Sequence, residues 1–201
     1  MGQYYKAILL ADKPQADKPQ ADKPQADKPQ ADKPQAGREI IRLWSDPHDY
    51  GYGSKLMEHT YFDNYFVMNL EYQLSPEGMF HQSRVVWAGD YAEEEQEPAE
   101  SDEESKNLYH LCKEDSTHRP LPHHDTHAYP YVVNHTTKQY VDKKKEIIHP
   151  LPLLTAEGNG AGGGDYRGDN EYLCGAWARH VISVEKEPPA GYEELICTFA
   201  E

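Results

Sequence analysis

Five identical copies of the pentapeptide ADKPQ occupy residues 11–35. A proline at every fifth position removes helical hydrogen bonds and clashes with the preceding turn. The repeat also lacks any large apolar side chain whose burial could offset the entropy of ordering the chain. We therefore expect residues 11–36 to form a long disordered loop. Its role could be that of a spacer or of a peptide that a proline-reading domain binds, and the alternative is an insertion that the fold tolerates.

Two apolar segments flank the repeat, at residues 4–10 and 39–44. Their aliphatic and aromatic side chains are typical of strands. Because the entropy of closing a loop grows only logarithmically with its length, a long insertion between two paired strands is tolerable. We predict that the repeat extends a hairpin loop within a single domain of residues 1–201.

The rest of the chain contains one clear helical pattern and many short strand patterns. Phe62, Phe66, Leu70 and Leu74 recur four residues apart, which predicts one substantial helical region at about 54–74, with Ser54 as its N-cap and a possible break near residues 63–64. Strand patterns occur at residues 84–88, 129–134, 139–142, 147–154, 180–185 and 194–199. This arrangement predicts an α+β fold with a mainly antiparallel sheet and long loops.

The charge of the chain is strongly negative. It has 20 basic and 35 acidic side chains, for a net charge of −15, and eight acidic residues fall within residues 93–104. We expect an acidic loop at 93–105. The charge disfavours direct nucleic-acid binding, and the absence of a long apolar run predicts a cytoplasmic protein with no membrane partner.

The glycine-rich segment GNGAGGGDYRG, residues 158–168, is the most specific motif. Glycines let a backbone approach a ligand closely, with amide hydrogens free to point at an anion. We predict that a small anionic or nucleotide-like ligand binds the residues Gly158, Asn159, Gly160, Gly162, Gly163, Gly164, Asp165 and Arg167. The alternative is a tight, flexible connection between strands. The segment lacks the helix of a dinucleotide-binding fingerprint and the lysine of a phosphate-binding P-loop, and we predict no cofactor.

Three residues are candidates for catalysis. His48 lies next to Asp49, and a histidine tuned by carboxylates can act as a general base near neutral pH. Asp90 follows a predicted buried strand, and Asp165 ends the glycine run. Each has a structural alternative, in a turn or at a strand end. No serine or cysteine lies in the context of a nucleophile, so binding is favoured over catalysis.

A histidine- and proline-rich segment at residues 115–128 is a third candidate site. His123, His124 and His127 are residue types that bind zinc, nickel or copper. Prolines at 120, 122 and 130 oppose the helix that would bring them together. We therefore predict a solvated loop and no metal site. The three separate cysteines are expected to be free thiols.

Several motifs taken together are similar to a family of small uncharacterised proteins of bacteria, phages and prophages. They are MGQYYK, SDPHDYGYGSKLMEH, RVVWAGDYA, YVVNHTTKQYVD, HPLPLLTAEGNGAGGGDYRG and GAWARHVISVE. The resemblance implies a bacterial cytosolic setting on a mobile element, and no particular activity. The positions inside these motifs that could have a functional role are Gly2, His48, Gly89, Asp90, Asn159, the glycine run, Asp165 and Trp177.

Three functional hypotheses follow. The first is a non-covalent binding protein that holds a small anionic ligand on the glycine-rich segment. The second is an acidic anti-defence inhibitor that occupies the nucleic-acid-binding surface of a basic host protein. The third is a nucleotide-processing hydrolase that uses His48, Asp90 and Asp165, which requires these distant residues to share one pocket.

Overall fold

A computed structural model of the chain describes residues 3–11, 39–95, 106–112, 127–158 and 166–199. The ADKPQ repeat, most of the acidic block, residues 113–126 and the glycine run at 159–165 lie outside the described residues. The strands are β1 (Tyr5–Leu10), β2 (Ile41–Ser45), β3 (Ser83–Gly89), β4 (Tyr131–Asn134), β5 (Gln139–Asp142), β6 (Ala156–Glu157), β7 (Val181–Glu185) and β8 (Glu193–Glu194). The helices are α1 (Tyr65–Leu74), α2 (Leu108–Leu111) and α3 (Pro150–Leu154), with 3-10 helices at Pro47–Tyr50, Leu56–His59, Lys143–Lys145 and Glu171–Leu173.

All eight strands belong to one sheet. The order is β2-β1-β3-β7-β4-β5-β8, and β6 also pairs with β3. The β3–β6 and β5–β8 pairs are parallel, whereas the other pairs are antiparallel. In the described part of the chain, α1 is the one helix of more than two turns. The predicted α+β fold with a mainly antiparallel sheet is therefore confirmed.

The sheet is covered on both faces, which explains why β1 and β3 are buried along their whole lengths. Alternate side chains of a strand point to opposite faces. On one face Tyr5, Ala7 and Leu9 join a large core with α1. On the other face Ile8 and Leu10 join a smaller cluster with α2. The strands β1 and β3 therefore lie at the centre of the fold.

The helical region differs in detail from the prediction for residues 54–74. The chain forms a 3-10 helix at Leu56–His59, breaks at Asp63, where φ is +66°, and resumes as α1. The N-cap of α1 is Asn64, whose side chain accepts from the amide of Phe66 at 3.0 Å, and Ser54 is not a cap. The last residue of α1 is Leu74, and Ser75 is its C-cap.

Two predicted strands are wrong. Within 147–154 the chain forms α3, because Pro150 has the fixed φ of a first helical residue, and the His149 ring caps it by accepting from the amide of Leu151 at 3.3 Å. Within 194–199 the strand is reduced to the end of β8, and the remaining residues are irregular. None of the helices in the described ranges is long and apolar enough to cross a membrane.

Phe66 provides a test of the α1 face that packs on the sheet. Its side chain is fully buried and lies 5.5 Å from the Trp87 ring centroid. We expect Phe66→Ala to lower the free energy of unfolding by about 3–5 kcal/mol, since it removes a ring from a packed core. Denaturant unfolding measures the change, with Met79→Ala, at a position 83% exposed, as the control. Equal effects at the two positions would contradict this packing.

Candidate functional site

The topology brings residues that are distant in sequence to one end of the sheet. Here β1 begins, and β2, β3 and β6 end. The residues around these strand termini are Gln3, Asp46, His48, Gly89, Asp90 and Gly158, and we call this set the Gln3 end of the sheet. Two of the catalytic candidates and the first glycine of the glycine-rich segment are therefore brought to the same end of the fold.

Gly158 packs directly against the side chains of Gln3 and Tyr5. A Cβ atom at Gly158 would lie 2.4 Å from Gln3 Oε1 and 2.7 Å from Tyr5 Oη. A Cβ atom at Gly89 would lie 3.1 Å from Gln3 Nε2. A side chain at Gly158 would displace the Gln3 amide and the Tyr5 hydroxyl, and one at Gly89 would require the Gln3 amide to move by a few tenths of an ångström.

The Gln3 amide is only partly satisfied. Tyr5 Oη donates to Gln3 Oε1 at 2.5 Å. Gln3 Nε2 is buried and makes no hydrogen bond to the residues that the structure describes. A buried donor without an acceptor costs free energy and is uncommon in folded proteins. The Gln3 end thus holds an unused donor next to the start of the glycine run.

The rest of the predicted ligand-binding segment is described only at its far end. Asn159, Gly160, Gly162, Gly163, Gly164 and Asp165 lie outside the described residues. The chain resumes at Tyr166, which is buried against Phe199 with ring centroids 5.3 Å apart. Arg167 follows, and its side chain is 74% exposed and 3.8 Å from Glu171. This guanidinium remains accessible to a ligand from solvent.

His48 lies on the surface of the Gln3 end. Its side chain is 71% exposed, and its Nδ1 atom is 3.1 Å from Asp46 Oδ1. Ser54 Oγ lies 3.3 Å from the same ring. Asp46 also accepts from the amide of His48 and so caps the 3-10 helix at Pro47–Tyr50. The carboxylate that orients His48 is therefore Asp46, and not the sequence neighbour Asp49.

Asp90 joins the ends of two strands. Its Oδ1 atom accepts from the amide of Tyr4 at 3.0 Å, and its own amide donates to the carbonyl of Tyr4. The carbonyl of Asp90 accepts from Asn107 Nδ2 at 3.0 Å. These contacts give Asp90 a definite structural role, and Asp165, the third catalytic candidate, lies outside the described residues.

A buried lysine, Lys6, lies next to Asp46 at this end of the sheet. Lys6 Nζ lies between the rings of Trp44 and Tyr109, 4.7 Å and 4.6 Å from their centroids, and 3.7 Å from Asp46 Oδ2. Burial raises the pKa of Tyr109, and the charges of Asp46 and Asp90 raise it further. Since Lys6 alternates with Tyr5 along β1, this cluster faces away from the Tyr5 hydroxyl. Sequence reasoning did not identify either Lys6 or Gln3.

A second histidine near this end is buried and neutral. His59 accepts from Trp87 Nε1 at its Nδ1 atom, 3.1 Å away, and donates from Nε2 to the carbonyl of Gly53 at 2.9 Å. Burial lowers the pKa of His59 to about 4. Both ring nitrogens are engaged in the fold, so His59 has a structural role.

The low pKa of His59 predicts a pH dependence of stability. As the pH falls from about 6.5 to 4, the unfolded chain binds a proton at this residue before the folded chain does, so stability is lost. With 1.36 kcal/mol for each pKa unit, the loss from this group is about 3 kcal/mol. Urea unfolding between pH 7 and pH 4 measures it. His59→Gln should flatten the dependence, whereas an unchanged slope would contradict the assignment.

Arg179 and Arg84 hold three carboxylates beside β3, of which Glu95 is buried and Glu39 and Glu157 are partly buried. Arg179 Nε donates to Glu157 at 2.6 Å, and its guanidinium also binds Glu95 and lies 3.5 Å from Glu39. Arg84 binds Glu39 with two bonds of 2.6 and 2.8 Å. Glu95 belongs to the acidic block of 93–104, so at least one of its carboxylates is part of the folded core.

Removing Arg179 would leave these carboxylates without their shared cation. We expect Arg179→Met to lower the free energy of unfolding by about 3 kcal/mol, the lower end of the range for buried ion pairs that lose one partner, because Arg179 and Glu157 are about a quarter exposed. Arg167→Met, at an exposed arginine, is the matched control and should change it by less than about 1 kcal/mol. Chemical denaturation compares the two variants, and equal stabilities would contradict this role of Arg179.

The histidine-rich segment is described only at its last two residues, 127 and 128. His123 and His124 lie outside the described residues, and His127 Nε2 is 2.8 Å from Asp63 Oδ1. Among the residues that the structure describes, no group of three histidine, cysteine, aspartate or glutamate side chains could hold a metal ion. Cys112, Cys174 and Cys197 are buried free thiols.

Comparison of the chain with models of protein families, with curated proteins and with solved structures found no match.

Proposed function

We propose that the protein is an accessory protein of a phage or mobile element that binds a small anionic or nucleotide-like ligand at the Gln3 end of the sheet. The observation that supports this most is the unused Nε2 donor of Gln3, buried where Gly158 begins the glycine-rich segment. An amide donor beside a glycine backbone is the chemistry that binds phosphate and carboxylate oxygens. The bacterial cytoplasmic setting rests on the resemblance of the sequence motifs.

In this proposal each end of the glycine run contributes one group. At its start, Gln3 Nε2 donates to an anionic oxygen, and Tyr5 holds the amide in position through Gln3 Oε1. At its far end, the exposed guanidinium of Arg167 binds the anionic part of the ligand. Backbone amides of residues 159–164 add further donors, and Asp165 or Asn159 accepts from hydroxyl or amine groups of the ligand.

The proposed activity is binding without catalysis. His48 is largely exposed to solvent, and the Asp90 side chain bonds the backbone of Tyr4. Buried Lys6 and the Tyr109 ring lie beside Asp46. A general base needs a substrate atom within hydrogen-bond reach and a site from which water is largely excluded. An exposed imidazole and a strand-joining carboxylate favour a binding site over a hydrolase.

Isothermal titration with inorganic phosphate, ADP, ATP and NAD tests this proposal. We expect saturable binding of at least one of these anions. Gln3→Met should lower the affinity about tenfold, because a hydrogen bond to a charged group contributes about 1.5–3 kcal/mol. Gly163→Val should abolish binding. Arg167→Gln should weaken it, whereas Arg42→Gln, at an exposed arginine of β2, should not. Absence of binding, or equal binding by all variants, would overturn the proposal.

The acidic inhibitor stays an alternative proposal. Glu93 and Glu94 are exposed, whereas Glu95 is buried on Arg179. If the acidic block docks onto a basic host protein, Glu93→Gln with Glu94→Gln should weaken that complex without changing stability. Glu95→Gln should mainly destabilise the fold. A host complex that is insensitive to salt and to the first pair of changes would contradict the alternative.

A further inference from the structure

A cavity of about 330 Å³ lies between the start of α1, the 3-10 helix at Lys143–Lys145 and the start of α3. This volume is within the range of pockets that bind small molecules. Phe62, Met68 and Pro130 supply apolar wall, and the remaining wall is polar or charged. None of these residues belongs to the Gln3 end, so the cavity is a separate candidate site.

A compensated ion cluster forms one side of the cavity. Lys143 Nζ donates to Glu71 Oε1 at 2.6 Å, and His149 Nε2 lies 3.1 Å from the same oxygen. Burial raises the pKa of Glu71, but Lys143 and His149 together hold it at about 2. Glu71 is therefore ionised and balanced by Lys143. His149 caps α3 through Nδ1, so this cluster supports the wall and offers no general base.

Two further charged residues of the wall, Glu146 and Lys144, form no ion pair like that of Glu71 with Lys143 among the described residues. Glu146 is 8% exposed, and its Oε1 atom accepts from the amide of Cys197 at 3.1 Å. Its Oε2 atom has no hydrogen-bond partner within the described part of the chain. A buried carboxylate oxygen without a donor is costly. Lys144 is exposed beside it, and the described residues provide no carboxylate within ion-pair distance of its ammonium. At the rim, Asp63 is paired with His127.

We infer that this cavity binds a small zwitterion of the amino-acid type with an apolar side chain. The ammonium group of the ligand donates to Glu146 Oε2, the unpartnered oxygen of a residue that lines the cavity. The carboxylate of the ligand pairs with Lys144. The apolar side chain packs on Phe62, Met68 and Pro130. The Glu146 carboxylate matches the positive charge of such a ligand, and the Lys144 ammonium matches its negative charge. The apolar wall matches its side chain.

Isothermal titration of the full chain with three probes tests this inference. L-phenylalanine carries both charged groups, phenethylamine lacks the carboxylate, and 3-phenylpropionate lacks the ammonium. We expect L-phenylalanine to bind with 1:1 stoichiometry, and each single-charge analogue to bind at least tenfold more weakly. If none of the probes binds at 10 mM, or if either analogue binds as well as L-phenylalanine, the inference is overturned.

Variants locate the binding in this cavity. Glu146→Gln keeps an oxygen for the Cys197 amide but loses the charge, and it should weaken L-phenylalanine binding at least tenfold. Lys144→Gln should weaken it several-fold. The control is Lys145→Gln, because Lys145 is paired with Glu194 and does not line the cavity. Thermal unfolding checks that each variant is folded. The assignment would be overturned if the Lys144 and Lys145 variants bound L-phenylalanine with equal affinity and a folded Glu146→Gln variant bound it as well as the unchanged protein.

Discussion

The ion cluster around Arg179 is the interaction on which the rest of the structure depends. Arg179 has three carboxylate partners, and each lies in or next to a segment of unusual composition. Glu39 follows the ADKPQ repeat, Glu95 lies within the acidic block, and Glu157 precedes the glycine run. Arg179 itself has φ of +62°, a conformation that costs a non-glycine residue about 1–2 kcal/mol. The charge-assisted bonds offset this cost and attach all three segments to one side of β3.

This attachment explains how a chain with so much polar, low-complexity sequence keeps a defined core. Arg84 donates to the carbonyl of Ala11 and to the Glu39 carboxylate, so both ends of the repeat-containing segment are held by one side chain. Glu157 is held by its ion pair with Arg179. The next residue, Gly158, therefore lies against Gln3 at the end of the sheet.

The fold could be predicted from sequence where local patterns are strong, and the candidate site only in part. The spacing of Phe66, Leu70 and Leu74 indicated α1, and the apolar runs indicated β1 and β3. The strand predicted over 147–154 failed because Pro150 and the capping ring of His149 favour a helical turn. No sequence pattern marked Gln3, Lys6 or Glu71 as a site residue, although Gln3 and Lys6 lie within the MGQYYK motif. Their roles come from pairings such as Tyr5 with Gly89 and Lys143 with Glu71, which depend on tertiary contacts.

The side-chain amide of Gln3 is the most direct reporter of the central claim that the Gln3 end binds an anion. Nitrogen-edited NMR spectra of the protein follow its NH₂ signals during a titration with ADP and inorganic phosphate. The account predicts a saturable shift of the Gln3 signals together with the Gly158 amide, while the side-chain signals of Gln139 on β5 stay in place. Gln3 signals that do not move while another part of the protein saturates with ligand, or that do not move at all, would contradict it.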